Sequence, residues 1–209
     1  MSRLILASAS PRRRELLRRI GLQFEVYPSR LDEGNCRELM PPARVEALAL
    51  AKARAVAARC RQGLVIGADT IVVCEGRVLG KPASPAEAAA MLEFLSGRTH
   101  TVYSGVAVVK APAGPEKSTH AGTAVTFRHL TPDVITSYVA SGEPLDKAGA
   151  YGIQGRGALL VESINGDYFN VVGLPLVKLA ELLAEFGVDV WGGPEGYERG
   201  TGGAKRDNH

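Results

Sequence analysis

Apolar residues arrive along this chain in short runs separated by polar, glycine- and proline-bearing breaks, and the spacing within each run selects an element. Arg3 to Ala7 reads as a short buried strand. Ser10-Pro11 then supplies an N-cap and a proline at the first helical position, with Leu16, Leu17 and Ile20 as the apolar side and Gly21 as the stop. Phe24 to Pro28 is a second strand, followed by a polar loop over 29–41 that carries Asp32 and Glu33. Pro42 to Arg59 is an alanine-rich helix whose apolar face is Val45, Leu48, Ala55 and Val56. Leu64 to Ala68 is a strand ending at Asp69-Thr70, and Ile71 to Leu79 a hairpin about Glu75-Gly76. Ser84-Pro85-Ala86-Glu87 fits a capping box and opens a helix to Leu95, closed by Ser96-Gly97. Long strands follow near 100–110 and 118–129, then a helix from Thr131-Pro132 to about Gly142. A glycine-rich loop spans 143–157, a second hairpin turns at Asn165-Gly166-Asp167, and a last helix runs from Pro175 to Phe186. Strands and helices mix without strict βαβ alternation, which predicts an α/β fold on a mixed sheet. The folded domain is expected over 1–190, as two closely packed lobes, with 191–209 a glycine-rich, disordered tail.

Composition narrows the class without naming a function. With 209 residues, 45% hydrophobic and 22% charged, the chain can bury a core unaided. A net charge of +3 and few aromatics argue against nucleic acid as a partner. Cys36, Cys60 and Cys74 form no CxxC, and the four histidines show no paired ligand spacing, so neither a disulfide framework nor a zinc site is indicated. No segment is long and apolar enough to span a membrane and the N-terminus does not read as a signal peptide, so a cytoplasmic location is expected.

The candidate chemistry lies in residues that folding alone would not choose. Arg12 and Arg13 sit in the opening turn of a helix, where the dipole disfavours cations but welcomes an anion. Lys52 falls in the apolar stripe of its helix; it either snorkels to water or aims its ammonium at a cleft. Asp69, after the run Leu64-Val65-Ile66-Gly67-Ala68, is expected at the carboxyl end of a buried strand, where a carboxylate can ligate Mg²⁺ or orient water, or simply form a turn. Lys81 is held between Gly80 and Pro82. The stretch from Glu143 to Gly155 has the glycine content of a loop shaped around a ligand, though Glu143, Asp146 and Lys147 also suit a solvated turn. There is no GxxxxGK[ST], GxGxxG or GxSxG. The residues alone point to a phosphorylated ligand held by Arg and Lys with a divalent metal.

Together the same segments resemble the Maf family of nucleotide pyrophosphatases. The matching runs are Leu6-Ala-Ser-Ala-Ser-Pro-Arg-Arg13, Asp32-Glu33, Lys52-Ala-Arg54, Gly67-Ala-Asp-Thr70, Gly80-Lys-Pro82, Ser96-Gly-Arg-Thr-His100, Glu143 through Gly155, and Val172-Gly-Leu-Pro-Leu176. The resemblance implies a curved mixed sheet flanked by helices around a deep cleft, like that of the house-cleaning nucleotide pyrophosphatases. It implies hydrolysis of a nucleoside triphosphate to the monophosphate and pyrophosphate with Mg²⁺ or Mn²⁺. Asp69 takes the catalytic position and, with Glu33, the metal; Ser8, Ser10, Arg12, Arg13, Lys52, Thr70, Lys81 and Gln154 take substrate-binding positions. Arg12, Thr70 and Gln154 match the dTTP/UTP branch. The alternatives are the same chemistry on 7-methyl-GTP or another modified nucleotide, and a non-catalytic nucleotide-binding regulator of cell division. The triphosphate is the expected partner and a homodimer one option.

Overall fold

The structure is a computed structural model that describes residues 3–29 and 39–191. Asp32 and Glu33, and the expected tail from 192 onward, lie outside the described residues. The strands are β1 (Leu4–Leu6), β2 (Glu25–Val26), β3 (Leu64–Cys74), β4 (Arg77–Leu79), β5 (Thr99–Lys110), β6 (Glu116–Phe127) and β7 (Val161–Asn165). The helices are α1 (Pro11–Arg19), α2 (Pro41–Ala57), α3 (Pro85–Leu95), α4 (Pro132–Ala140), α5 (Tyr168–Val172) and α6 (Leu176–Glu185).

The seven strands form one sheet in the order β2-β1-β3-β5-β6-β7, with β4 paired to β3. β1 is parallel to both β2 and β3, and every other pairing is antiparallel, so the expected mixed α/β sheet is present. Capping fixes the helix starts where the sequence placed them: Ser84 Oγ accepts from Glu87 N at 3.2 Å, and Glu87 Oε2 reaches back to Ala83 N at 2.7 Å. Thr131 and Ser10 cap α4 and α1 through the side-chain oxygen alone, accepting from Val134 N and Arg13 N.

Alternation along β1, β3 and β5 divides the core between the two faces of the sheet. Leu4, Leu6, Ile66, Ala68, Val106 and Val108 face α1 and α6, through Leu16, Leu17, Leu179 and Leu183. Ile5, Val65, Ala107 and Val109 face α2. A third cluster at the far end joins α3 and α4 to Val102, Val125 and Phe127. The buried residues of α2 are Val45, Leu48, Ala49, Ala53, Val56 and Ala57; Ala55 sits at the edge of this stripe instead of within it. Two glycines bring α2 against the sheet. A Cβ at Gly67 would lie 2.1 Å from the Ala49 carbonyl oxygen, and one at Gly105 would lie 2.2 Å from that of Val45. Gly105 pairs with Asp69 across β3 and β5, so this close contact sets the helix directly beside Asp69.

Two expectations need correction. β3 does not end at Asp69 but continues to Cys74, because Ile71-Val72-Val73-Cys74 pairs with both β5 and β4. The segment after Asn165-Gly166-Asp167 is no second hairpin strand. Asp167 Oδ1 accepts from Phe169 N at 2.8 Å and caps α5, a local bond that competes successfully with strand pairing.

Candidate functional site

The cavity follows from a notch in the sheet. Along one edge of β3, β1 covers residues 64–66 and β4 covers 72–74, while β5 lines the other edge throughout. Residues 67–71 therefore have no strand on the first edge, among the described residues, and Asp69 opens onto the gap although it lies mid-strand. The gap is a cavity of about 810 Å³. Ser8, Ser10, Arg12, Arg13, Lys52, Asp69, Thr70, Lys81 and Gln154, every described residue expected to act on substrate, all line it. Glu33 cannot be placed, since it falls outside the described residues.

Arg13 occupies part of the notch and substitutes for the missing strand. Its Nη1 donates to the Ala68 carbonyl at 2.9 Å and to Ser8 Oγ at 3.2 Å. Nη2 donates to Thr70 Oγ1 at 3.1 Å, and Nε to the Gly173 carbonyl at 2.8 Å. Thr70 in turn meets Ser104 Oγ at 2.8 Å, and Ser104 donates to the Asn170 carbonyl at 2.9 Å. The opening loop, β3 and the segment after α5 are thus tied together through one guanidinium.

Lys52 resolves its two sequence readings in favour of the cleft. Its Nζ lies 2.6 Å from Asp69 Oδ1, with the side chains only 13% and 9% exposed. Gly67 and Gly105 are the backbone reason the lysine can reach, since they let α2 lie this close. Arg12 crosses the cavity mouth to Asp146 Oδ2 at 3.3 Å, and Lys147 Nζ holds Asp146 Oδ1 at 2.7 Å. Burial alone would raise the Asp146 carboxyl, but the Lys147 ammonium and Arg12 guanidinium outweigh it and hold it below the usual carboxylate range.

The loop that carries Gln154 is braced from behind. Glu143 accepts from Arg156 N at 3.1 Å, Gly157 N at 3.2 Å and Tyr138 Oη at 2.9 Å, and Tyr138 Oη accepts from Gly152 N at 3.2 Å. Glu143 is therefore a brace and not a solvated turn residue. Tyr151, which lines the cavity, stacks edge-on with Phe127 and His100 at centroid distances of 4.7 and 5.2 Å, and its hydroxyl is 2.7 Å from His100 Nε2.

Burial pushes the His100 imidazole down to about 4 from its ordinary 6.5. The folded state then resists a proton that the unfolded chain accepts below 6.5, so this group costs stability as pH falls from 6.5 towards 4. The slope is on the order of 1.4 kcal/mol per pH unit. Urea unfolding of His100→Gln should lack that acid-side slope; a variant with the wild-type slope would show that His100 does not cause it.

Sequence reasoning missed Arg44 and Ser29 as cavity residues, and did not single out Tyr151 within the loop it read as shaped around a ligand. For Arg44 a signal existed. It stands at four-residue intervals with Leu48 and Lys52 on α2, and all three line the cavity.

Among the described residues no group of three His, Cys, Asp or Glu side chains converges. No helix there is long and apolar enough to cross a membrane.

Residues 3–186 match the family model described as Maf-like protein. A dTTP/UTP pyrophosphatase of Moorella thermoacetica is 78% identical over 192 residues, covering 92% of this chain and 99% of the relative. One from Symbiobacterium thermophilum is 53% identical over 196 residues, covering 94% and 100%, and one from Pelotomaculum thermopropionicum is 50% identical over 190 residues, covering 91% and 100%. The solved structure of a HAM1 protein from Coxiella burnetii superimposes with a TM-score of 0.51 at 17% identity, over 88% of this chain and 100% of that one, which is a likeness of fold.

Proposed function

The chain belongs to the Maf family, and on that premise we propose that its cavity hydrolyses dTTP and UTP to the monophosphate and pyrophosphate. The observation that carries the chemistry is one carboxylate, Asp69, buried in a notch whose other charged walls are largely cationic: Arg12 and Arg13 from α1, Lys52 from α2, and Lys81 and Lys147 from two further segments. Such a wall suits a polyphosphate, and a carboxylate inside it needs a reason beyond folding.

In the proposed reaction, water oxygen bonds to the α-phosphorus as the bond from that phosphorus to the α–β bridging oxygen breaks. The water's proton passes to Asp69, and pyrophosphate leaves with the electron pair. Lys52 holds Asp69 Oδ1 and so fixes the carboxylate's orientation. Arg12 and Lys81 neutralise the charge gathering on the leaving group. Gln154 offers both a donor and an acceptor to a pyrimidine edge, from a loop that Glu143 and Tyr138 hold rigid.

A divalent cation fits the donor set. Both described cavity carboxylates are ion-paired, Asp146 to Arg12 and Lys147 and Asp69 to Lys52; Asp69 is the buried one of the two, and Mg²⁺ commonly binds through one or two carboxylates plus substrate phosphates. We assign Asp69, with Glu33, to hold Mg²⁺ or Mn²⁺. When bound, the ion makes water more acidic and offsets phosphate charge.

Turnover of dTTP, UTP, CTP, GTP and 7-methyl-GTP, with Mg²⁺ and with chelator, tests the reading. Metal-dependent pyrophosphate release that favours dTTP and UTP is expected. Preference for 7-methyl-GTP would move the substrate, and nucleotide binding without turnover would favour a regulator.

Lys81 provides a clean arm. It is exposed and held in no ion pair among the described residues. Lys81→Ala should lower kcat/KM on the order of 10²-fold while unfolding shifts by less than about 0.5 kcal/mol. Early melting with full activity would make it structural.

A further inference from the structure

We infer that Arg44 is a further substrate contact, one that grips the terminal phosphates and then the pyrophosphate product; the inference rests on the triphosphate reading above. Arg44 lies outside every run that carries the family resemblance, and α2 alone brings it into the cavity. The helix is held to the sheet by the contacts at Gly67 and Gly105, so its cavity-facing side has a fixed placement. That side presents Arg44, Leu48 and Lys52.

Three features separate Arg44 from an ordinary surface arginine. Its Nε is buried and has no hydrogen-bond partner among the described residues. It is the fourth residue of α2 and completes the helix's first turn, near the positive end of the helix dipole, where a cation is disfavoured without an anion beside it. The nearby acid on the same helix, Glu46, is already engaged by His120 Nδ1 at 2.5 Å and Ser118 Oγ at 3.1 Å. An arginine on the wall of a polyphosphate cavity, with no carboxylate paired to it among the described residues, is suited to phosphate oxygens, which match its planar fork.

The position on the helix selects the phosphate. Lys52 is bonded to Asp69 at the proposed reacting centre. Arg44 precedes it by two turns, about 12 Å along the axis. With Lys52 and Asp69 at the α-phosphate and Gln154 at the base, the fork of Arg44 is left for the terminal phosphates.

Titration calorimetry with inorganic pyrophosphate and with TMP, in Mg²⁺ buffer, tests this on wild type, Arg44→Gln and Arg44→Lys, each checked for an unchanged melting temperature. Arg44→Gln should weaken pyrophosphate binding by about tenfold or more and leave TMP within about twofold. Arg44→Lys should fall between, since an ammonium supplies charge without the fork. Equal pyrophosphate affinity in wild type and Arg44→Gln, or an equal loss for TMP, would overturn the assignment. Wild type that binds pyrophosphate through Arg44 yet releases none from dTTP would leave the contact standing and sink the hydrolytic reading instead.

Discussion

Asp69→Asn should fold, still bind nucleotide, and lose on the order of 10³-fold in kcat. The amide matches the carboxylate in size and keeps an oxygen for the Lys52 ammonium, now 2.6 Å from Oδ1. It cannot accept the water's proton, and it is a far poorer partner for a divalent cation. The cost to the fold is smaller but real. Lys52 and Asp69 are both nearly buried, and weakening a buried ion pair leaves charge incompletely compensated. A loss of roughly 1–3 kcal/mol is expected, well below what would unfold a domain at room temperature. Single-turnover kinetics beside thermal unfolding separates the two effects. Near-wild-type turnover would remove Asp69 from the chemistry, whatever happened to its stability.

Arg13→Gln should damage fold and activity together, which sets it apart from Lys81→Ala. Arg13 donates to two carbonyl oxygens, those of Ala68 and Gly173, and to the hydroxyls of Ser8 and Thr70. The first carbonyl lies on the stretch of β3 edge that no strand covers among the described residues, and there the guanidinium supplies the hydrogen bond. Removing it strands several acceptors at once, with an expected loss of about 2–4 kcal/mol. Ser8, Thr70 and the Gly173 segment all line the cavity, so kcat/KM should also fall, by on the order of 10²-fold or more. Arg13→Lys should rescue little, because one ammonium cannot span four partners in a planar fork. Denaturant unfolding and kinetics on the same preparations decide the matter. An Arg13→Gln protein of wild-type stability and lost activity would make Arg13 a phosphate ligand and no strut.

Much of this architecture was legible because it is local. Ser10, Ser84 and Thr131 each precede a proline, and each caps a helix as that pattern requires. The turn at Glu75-Gly76 joins β3 to β4 where expected. The full length of β3 was not legible. Asp69-Thr70 interrupts an apolar run, and only the pairing with β5 and β4 shows that the strand passes through it. The same non-local fact turns Asp69 from a strand-end residue into one exposed by a notch. Residues 168–172 misled for a similar reason. Tyr-Phe-Asn-Val-Val has strand composition, and a single cap on Asp167 with the tertiary bonds of Asn170 to Val102 and Thr123 makes it a helix. Within the site, motif positions identified which residues converge, but not which are already spoken for. That Arg13 is a strut, that Arg12 faces Asp146, and that Arg44 joins the wall all depend on side-chain geometry across distant segments.

The most direct test of the account is hydrolysis of dTTP in ¹⁸O-enriched water, with the products resolved by mass. Attack on the α-phosphorus predicts one labelled oxygen in the monophosphate, unlabelled pyrophosphate, and formation of both slowed on the order of 10³-fold in Asp69→Asn. Label in the pyrophosphate, or release of orthophosphate with dTDP, would place the attack on another phosphorus and contradict the arrangement of Asp69 and its cations argued from this fold.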